Sequence, residues 1–463
     1  MADRILVTFT ADDDGGEDVL SWGQQSIWDS MTNAGSSLPV GDFVAVPPDV
    51  TLDAVVAGLR FVMSRHQSLR THVVTGADGV LRQRVSTSGS VPLEVIDAGG
   101  EDPAEIARRT TKRYYAEPFD YVGEWPIRMA AVCRGGRVTH VVAVYCHIAV
   151  DVQGVRALVD DLATMDPATG GPTRPVTGLT PLEQVRQQRS PGAVRHSEAA
   201  VRYAEKLVRQ IPARRYRTSA DPRLPRWWQV GLRSRAAYLA GRAVAARNRM
   251  RTSPVLFAAF AVAFSEVTAN DPAVAQIVVN NRFRPGLAQA VGPVSEACVA
   301  VVETEDSTFD EVVGRAWRAA TRAAKHSYYD PDRMAEMLAE VNADRGEYVD
   351  IDCFFNDRRL AFQNPPVPAE PPTAEAVELA RAETELRWEE SLERYDHTVF
   401  FHVNDVPDVF DLAMCADTHR LAPAEMAAMM LRIEDVLVTG ALDPAARVRD
   451  IGSLSRKAAS IEC

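Results

Sequence analysis

A chain of 463 residues is too long for one small core; at about 100–200 residues per domain it predicts two or three domains, and two is the simplest division. Hydrophobic residues at 46% and charged residues at 25% are the proportions of an ordinary globular protein, which excludes a disordered or fibrous chain. A net charge of −12 excludes a general binder of nucleic acid, yet residues 202–251 hold fourteen Arg or Lys against two acids, Glu205 and Asp221. That segment reads most plainly as a solvated, arginine-rich helical face, with a local patch that steers an anionic partner as the alternative.

The opening MADRILVTFTADDDGGEDVL lacks a basic start and an apolar stretch of leader length, and no later run approaches 18 uninterrupted apolar residues, so a cytoplasmic protein without a membrane segment is expected. Residues 4–9 predict a strand. Residues 51–70 place apolar groups at helical spacing, and HVVTGADGVLRQRV predicts a strand, a turn at Ala77-Asp78-Gly79 and a second strand. GEDPAEIARRTTKRYYAEPFD is a further amphipathic helix. IRMAAVCRGGRVTHVVAVYCHIAVD then gives two β-rich runs joined at Gly135-Gly136, the second valine-rich as in a strand buried on both faces.

Residues 154–165 predict a helix, and the Pro/Gly density of DPATGGPTRPVTGLTP marks residues 166–181 as a linker. The predicted domains are therefore 1–165 and 182–463. Helices are expected over about 193–210 and 230–249. SPVLFAAFAVAFSEVTAN, apolar on nearly every side, predicts a buried helix with Ser253 as N-cap and Pro254 at the first helical position. AQIVVNNR is a strand. A second proline cluster, 364–372, separates a strand containing residues 351–355 from a charged helical stretch starting near Thr373; a hairpin (397–417) and a terminal helix (422–440) follow. No repeat, coiled coil or low-complexity stretch is present, and the alternation of helices and strands in both halves predicts an α/β (α+β) fold.

The six cysteines, Cys133, Cys146, Cys298, Cys353, Cys415 and Cys463, form no CxxC pair or Cys/His cluster, so reduced thiols are expected and no metal site. Gly135-Gly136 is a turn and not a phosphate loop, as no GxGxxG or GxxxxGK[ST] follows a strand. His66, His140, His397, His402 and His419 lack ligand-like partners and read as structural or surface groups. Trp227 and Trp228 lie among arginines, where they anchor a helix or, alternatively, hold a nucleotide-like arm.

Several stretches together resemble the condensation domains of nonribosomal peptide synthetases and, more widely, the chloramphenicol acetyltransferase-like superfamily. LSWGQQSIW (20–28) resembles the family's Leu-Ser-x-x-Gln opening and RHQSLRT (65–71) its Arg-His-x-x-Leu-Arg-Thr motif. PFDYVGEWPIRM (118–129) resembles the Phe-Asp segment before the active-site strand, CHIAVDV (146–152) the His-His-x-x-x-Asp-Gly signature, and NNRFRPGLAQAVGPVSEACV (280–299) a later Arg- and Gly-containing segment. The resemblance implies two acetyltransferase-like lobes in a V-shaped pseudo-dimer with a central tunnel. It implies His147 as the catalytic residue, with Cys146, Asp151, Val152, Gly154 and Arg282 forming the active-site loop and its support, Asp151 pairing with Arg282 across the two lobes. Two departures stand out: Cys146 replaces the first His of the signature, and Val152 replaces the Gly after the aspartate, where a β-branched side chain narrows or reshapes the passage. A clear Asp-Phe-Gly-Trp lid motif is missing.

A thioester needs no further activation, so holding an amine beside it supplies much of the rate, and a neutral imidazole can accept the proton of an α-amine whose pKa is about 7.7–8.0. Cys146 precedes His147 in an extended strand, where adjacent side chains face apart, so it reads as a buried thiol rather than a nucleophile. The expected function is a free-standing condensation-like acyltransferase of natural-product biosynthesis, joining a carrier-tethered acyl or aminoacyl group to a small-molecule amine or alcohol. It binds no cofactor of its own. The phosphopantetheine arm of an acyl or peptidyl carrier protein, met in trans, brings the donor, with Arg214, Arg215, Arg217 and Arg226 as a docking surface; no membrane or nucleic-acid partner is expected. The alternatives are a silent condensation-like domain that recruits an enzyme or gates a carrier, and altered chemistry such as cyclisation or epimerisation.

Overall fold

The computed structural model describes residues 3–359 and 372–451. The chain divides into two compact units, Met1–Arg195 with Asn280–Glu296, and His196–Val279 with Ala297–Cys463. The expected linker at 166–181 is therefore not the division. Its prolines and glycines do exclude helix and strand as far as Thr180, but it is tied down inside the first unit: Asp166 N donates to Gly171 O at 2.8 Å, Leu179 N to Gly286 O at 2.8 Å and Arg65 Nη2 to Arg174 O at 2.9 Å. Gly178 sits so close to Gln289 that a Cβ there would lie 2.2 Å from its carbonyl oxygen.

The first unit contains strands β1 (Asp3–Thr10), β2 (Gly16–Val19), β3 (Val40–Ala45), β4 (Thr71–Thr75), β5 (Leu81–Val85), β6 (Ser88–Asp97), β7 (Ile127–Arg134) and β8 (Arg137–Tyr145). Its helices are α1 (Trp22–Ala34), α2 (Leu52–Arg65), α3 (Pro103–Ala116), α4 (Val152–Leu162) and α5 (Pro181–Gln188). A five-stranded sheet runs β1-β6-β7-β8-β3, and a three-stranded one runs β2-β5-β4. The pair β6/β7 is parallel, so it needs the crossover that α3 provides, whereas β7/β8 is the expected hairpin. Gly135 and Gly136 have φ of 57° and 78°, the two left-handed positions that a tight hairpin turn requires.

The second unit begins within α6 (Pro191–Val208) and continues with β9 (Trp227–Ser234), α7 (Arg235–Arg247), α8 (Thr252–Thr268), β10 (Ala273–Val279), β11 (Glu296–Val302), α9 (Phe309–Lys325), α10 (Pro331–Arg345), β12 (Cys353–Asp357), α11 (Ala374–Arg381), β13 (Glu385–Leu392), β14 (Val399–Asn404), β15 (Phe410–Asp417) and α12 (Pro423–Leu442). The strands form one mixed sheet in the order β11-β10-β12-β14-β15-β9-β13. As its apolar circumference predicts, α8 is buried at every position from Val255 to Ser265. It starts two residues earlier than expected: Arg251 occupies the N-cap and Thr252, not Pro254, is the first helical residue.

Three further expectations fail in this unit. The helix predicted over 230–249 is β9 followed by α7, because Val230 and Leu232 alternate inward and the strand finds partners on both sides, β15 and β13. Trp227 and Trp228 accordingly anchor a strand and not a helix, their indole N–H groups donating to His397 O at 3.0 Å and Pro225 O at 2.8 Å. The basic segment 202–251 is thus no single helical face. The charged helical stretch expected from near Thr373, by contrast, is present as α11, capped by Thr373 and ending at Arg381 before β13. Residues 364–371 of the proline cluster at 364–372, and Cys463, lie outside the described residues. Helices and strands layered in both units bear out the α/β (α+β) class. Among the described residues, no single helix is long and apolar enough to cross a membrane.

Candidate functional site

The motif segments of the first unit are largely devices that fix local geometry. In LSWGQQSIW, Ser21 caps α1 and Gln24 reaches back to its backbone, a complete capping box. In RHQSLRT, Arg65 grips Asp161 of α4 through Nε and Nη2, both at 2.8 Å, and His66 Nε2 lies 2.9 Å from the same carboxylate. Burial alone raises the Asp161 carboxyl, but Arg65 and His66 outweigh it and hold it well below the usual carboxylate range. Arg70, fully buried, donates to Ser86 O at 2.6 Å and pairs with Asp13. The Arg65 and His66 contacts lock the end of α2 onto α4, the helix that follows CHIAVDV.

The chain leaves β8 at Tyr145 and turns at once. Cys146 N donates to Pro126 O at 3.0 Å, His147 N to Ser37 O at 3.3 Å, Ala149 N to Cys146 O at 3.0 Å and Val150 N to His147 O at 3.2 Å. Cys146 therefore opens a turn; it is not the last residue of an extended strand. Its thiol still has the expected character: it is fully buried, with Sγ 3.8 Å from Ser37 O, and burial pushes it up to about 12. Incubation of the native protein at pH 8 with a small alkylating reagent is expected to leave Cys146 unmodified, as peptide mass mapping would read directly, whereas denaturant should make it reactive.

His147 is half-buried, and its Nδ1 lies 3.0 Å from Val150 O. A carbonyl oxygen only accepts, so Nδ1 carries the proton of the neutral ring and Nε2 is the basic nitrogen. Asp151 is the N-cap of α4 and is itself buried. Four donors converge on it: Gly154 N at 2.7 Å and Arg282 Nη2 at 2.6 Å on Oδ1, Val294 N at 3.2 Å and Ser295 Oγ at 2.9 Å on Oδ2. Both Asp151 and Arg282 belong to the first unit, so the pair does not link two lobes as the resemblance implied; the segment 280–296 returns to the unit that holds Asp151. Gly154 has no room for a side chain, since a Cβ would lie 2.6 Å from Val150 and 3.3 Å from Arg282 Nη2. Val152, the first residue of α4, is 52% exposed.

The four proposed docking arginines do not behave alike. Arg214 and Arg217 are exposed. Arg215 is 2% exposed, with its guanidinium on the carbonyls of Asp350 and Val274, so it cannot meet a partner. Arg226 grips Asp417 at 2.8 and 2.6 Å and lies over the Trp227 ring at 4.9 Å, which neutralises it locally. Ser37, Val294 and Ser295, which position the loop, carry no signal that reading the sequence could use: their roles depend on backbone donors and acceptors brought from far along the chain.

The profile of the condensation domain matches residues 43–460. The nonribosomal peptide synthetase kk1B of Curvularia clavata is 29% identical over 285 residues, 59% of this chain but 2% of that relative, and the enniatin synthase of Fusarium equiseti is 25% identical over 70% of this chain and 11% of its own length. The chain thus spans a small fraction of the curated relatives it matches. Among solved structures, SgcC5 from Streptomyces globisporus has a TM-score of 0.71 at 17% identity, covering 93% of this chain and 100% of that one. The X-domain of teicoplanin biosynthesis, solved in complex with OxyB, has a TM-score of 0.70 at 18% identity, covering 98% and 99%. With the motifs in order and the family profile extending over most of the sequence, the chain belongs to the condensation-domain family of nonribosomal peptide synthesis.

Proposed function

We propose that this condensation domain is an acyltransferase that joins a carrier-tethered acyl or aminoacyl thioester to an amine or alcohol, with His147 as its proton acceptor. The reading is supported above all by the His147 tautomer: Val150 O holds the proton on Nδ1 and leaves Nε2 basic. The nucleophile attacks the thioester carbonyl carbon, the new C–N or C–O bond forms, and the C–S bond breaks to release the phosphopantetheine thiol. Nε2 takes the proton that the nucleophile loses, and the departing thiolate is reprotonated. Asp151 stays outside this proton transfer; its four donors hold the loop in place. The test is product formation when the protein is mixed with acyl-loaded carrier proteins from its own genomic neighbourhood and amine or alcohol acceptors. Amide or ester formation supports the assignment; hydrolysis alone, or no turnover with genuine partners, counts against it.

A second reading is a silent domain that recruits another enzyme. It is favoured by Cys146 and Val152 in the signature. The similar X-domain, solved bound to OxyB, is consistent with that alternative. Stable capture of a partner enzyme from the same gene neighbourhood, with no acyl transfer, would select it.

A further inference from the structure

Glu296, the first residue of β11 and the last of the first unit, is 5% exposed. It faces Ser26 on α1, whose Oγ is 2.9 Å from both carboxyl oxygens. A serine hydroxyl has one proton, so an ionised carboxylate could at most share it between its two oxygens, a weak compensation for a buried charge. A neutral acid uses both contacts fully: one oxygen accepts from Ser26, and the other, as O–H, donates back. Among the described residues no Lys, Arg or His pairs with Glu296. The charged group that acts on it is Asp29, one turn along α1 from Ser26 and of like sign, while Arg282 on its own segment is committed to Asp151. Burial raises the Glu296 carboxyl to about 8, against the pull of Ser26 and with the help of Asp29.

The surroundings make this pair consequential. Three residues before Ser26, Gly23 lies so near the segment that a Cβ would be 1.9 Å from Pro293 O, so α1 and residues 280–296 meet backbone to backbone. Immediately before Glu296, Val294 N and Ser295 Oγ hold Asp151. We propose that Glu296 is a positioning residue: as a neutral acid paired with Ser26 it clamps the segment 280–296 onto α1, and through Val294 and Ser295 it fixes Asp151 and the turn that carries His147. Only the last link rests on the assignment of His147 as proton acceptor.

The sign of the pH dependence follows from the direction of the shift. Between the ordinary carboxyl value of 4.5 and about 8 the folded chain holds a proton that the unfolded chain releases, so stability from this group falls as pH rises through that interval and is level above it. Thermal unfolding of the full chain from pH 5 to 9.5 tests this. Glu296→Gln, a neutral group that both donates to and accepts from Ser26, is expected to unfold at a temperature that exceeds the native one by a margin growing from pH 5 to 8 and constant beyond. Parallel curves for the two proteins overturn the proposal. Where Glu296→Gln does not fold, Ser26→Ala serves: removing a hydroxyl that lowers the carboxyl moves the end of the sensitive interval above 8, and an unmoved interval overturns the clamp. The link to chemistry is read separately, since Glu296→Gln should keep its turnover at pH 9 where the native protein declines. Diverging melting curves without turnover in either protein would leave the clamp standing and sink the transferase reading.

Discussion

Replacing His147 by alanine is expected to lower kcat/KM for acyl transfer by roughly 10²- to 10⁴-fold, the range for loss of a well-placed general base. At 1.36 kcal/mol per tenfold, that is about 3–5 kcal/mol of transition-state stabilisation. The loss should fall on kcat, because the ring accepts a proton only as the nucleophile's bond forms. It should also depend on the acceptor. An α-amine with a pKa of about 7.7–8.0 is already partly neutral near pH 8 and attacks without help once it is held in place, whereas a hydroxyl must give up its proton during attack. The defect is therefore expected to be larger with an alcohol acceptor than with an amine. The hydrogen bond from Nδ1 to Val150 O that the substitution removes is worth about 1 kcal/mol, and denaturant unfolding of the variant separates any loss of folded protein from loss of chemistry. Unchanged turnover in His147→Ala removes the imidazole from the mechanism.

How much of this was legible beforehand depends on the range over which each feature is specified. The β7/β8 hairpin was readable because two glycines in succession permit a turn that few other residues can make, and α8 because its apolar residues leave no polar face. β9 was misread although its alternation was present in the sequence: Val230 and Leu232 point inward while Gln229 and Arg233 do not, and the strand exists because β15 and β13 flank it. Charged residues were the least legible. Arg215 and Glu296 look like surface groups by composition, and only contacts from distant segments bury them, against the carbonyls of Asp350 and Val274 in one case and Ser26 in the other. The Asp151–Arg282 pair was legible only through the family resemblance. With the domain boundary drawn at 166–181 that resemblance placed the two residues in different lobes, whereas Asn280–Glu296, between β10 and the body of β11, belongs with the first unit.

That pair carries the second large effect, this time on stability and with an asymmetry that geometry dictates. Asp151→Ala leaves the buried Arg282 guanidinium without its carboxylate, and breaking a buried pair this way is expected to cost about 3–5 kcal/mol. Burial already pulls the Arg282 group below its usual value despite Asp151, and its Nε and Nη1 have no hydrogen-bond partner among the described residues, so nothing nearby replaces the lost charge. The same substitution also strands Gly154 N at the start of α4, a capping loss of about 1 kcal/mol, together with Val294 N and Ser295 Oγ. Arg282→Ala is milder, because the carboxylate of Asp151 keeps three of its four donors. Arg282→Lys should recover part of the difference, since Nη2 alone reaches Asp151 and a single ammonium can stand in for it. Denaturant unfolding of the three variants and of the double Asp151→Ala/Arg282→Ala protein checks the order. The double variant should be less destabilised than the sum of the single ones, because removing both partners leaves no buried charge. Strict additivity, or Arg282→Ala proving the worse of the two, would show that the pair does not hold the loop as its geometry indicates. Loss of acyl transfer in Asp151→Ala would then follow from displacement of His147, and the ratio of alcohol to amine turnover should stay near the native one in whatever fraction remains folded.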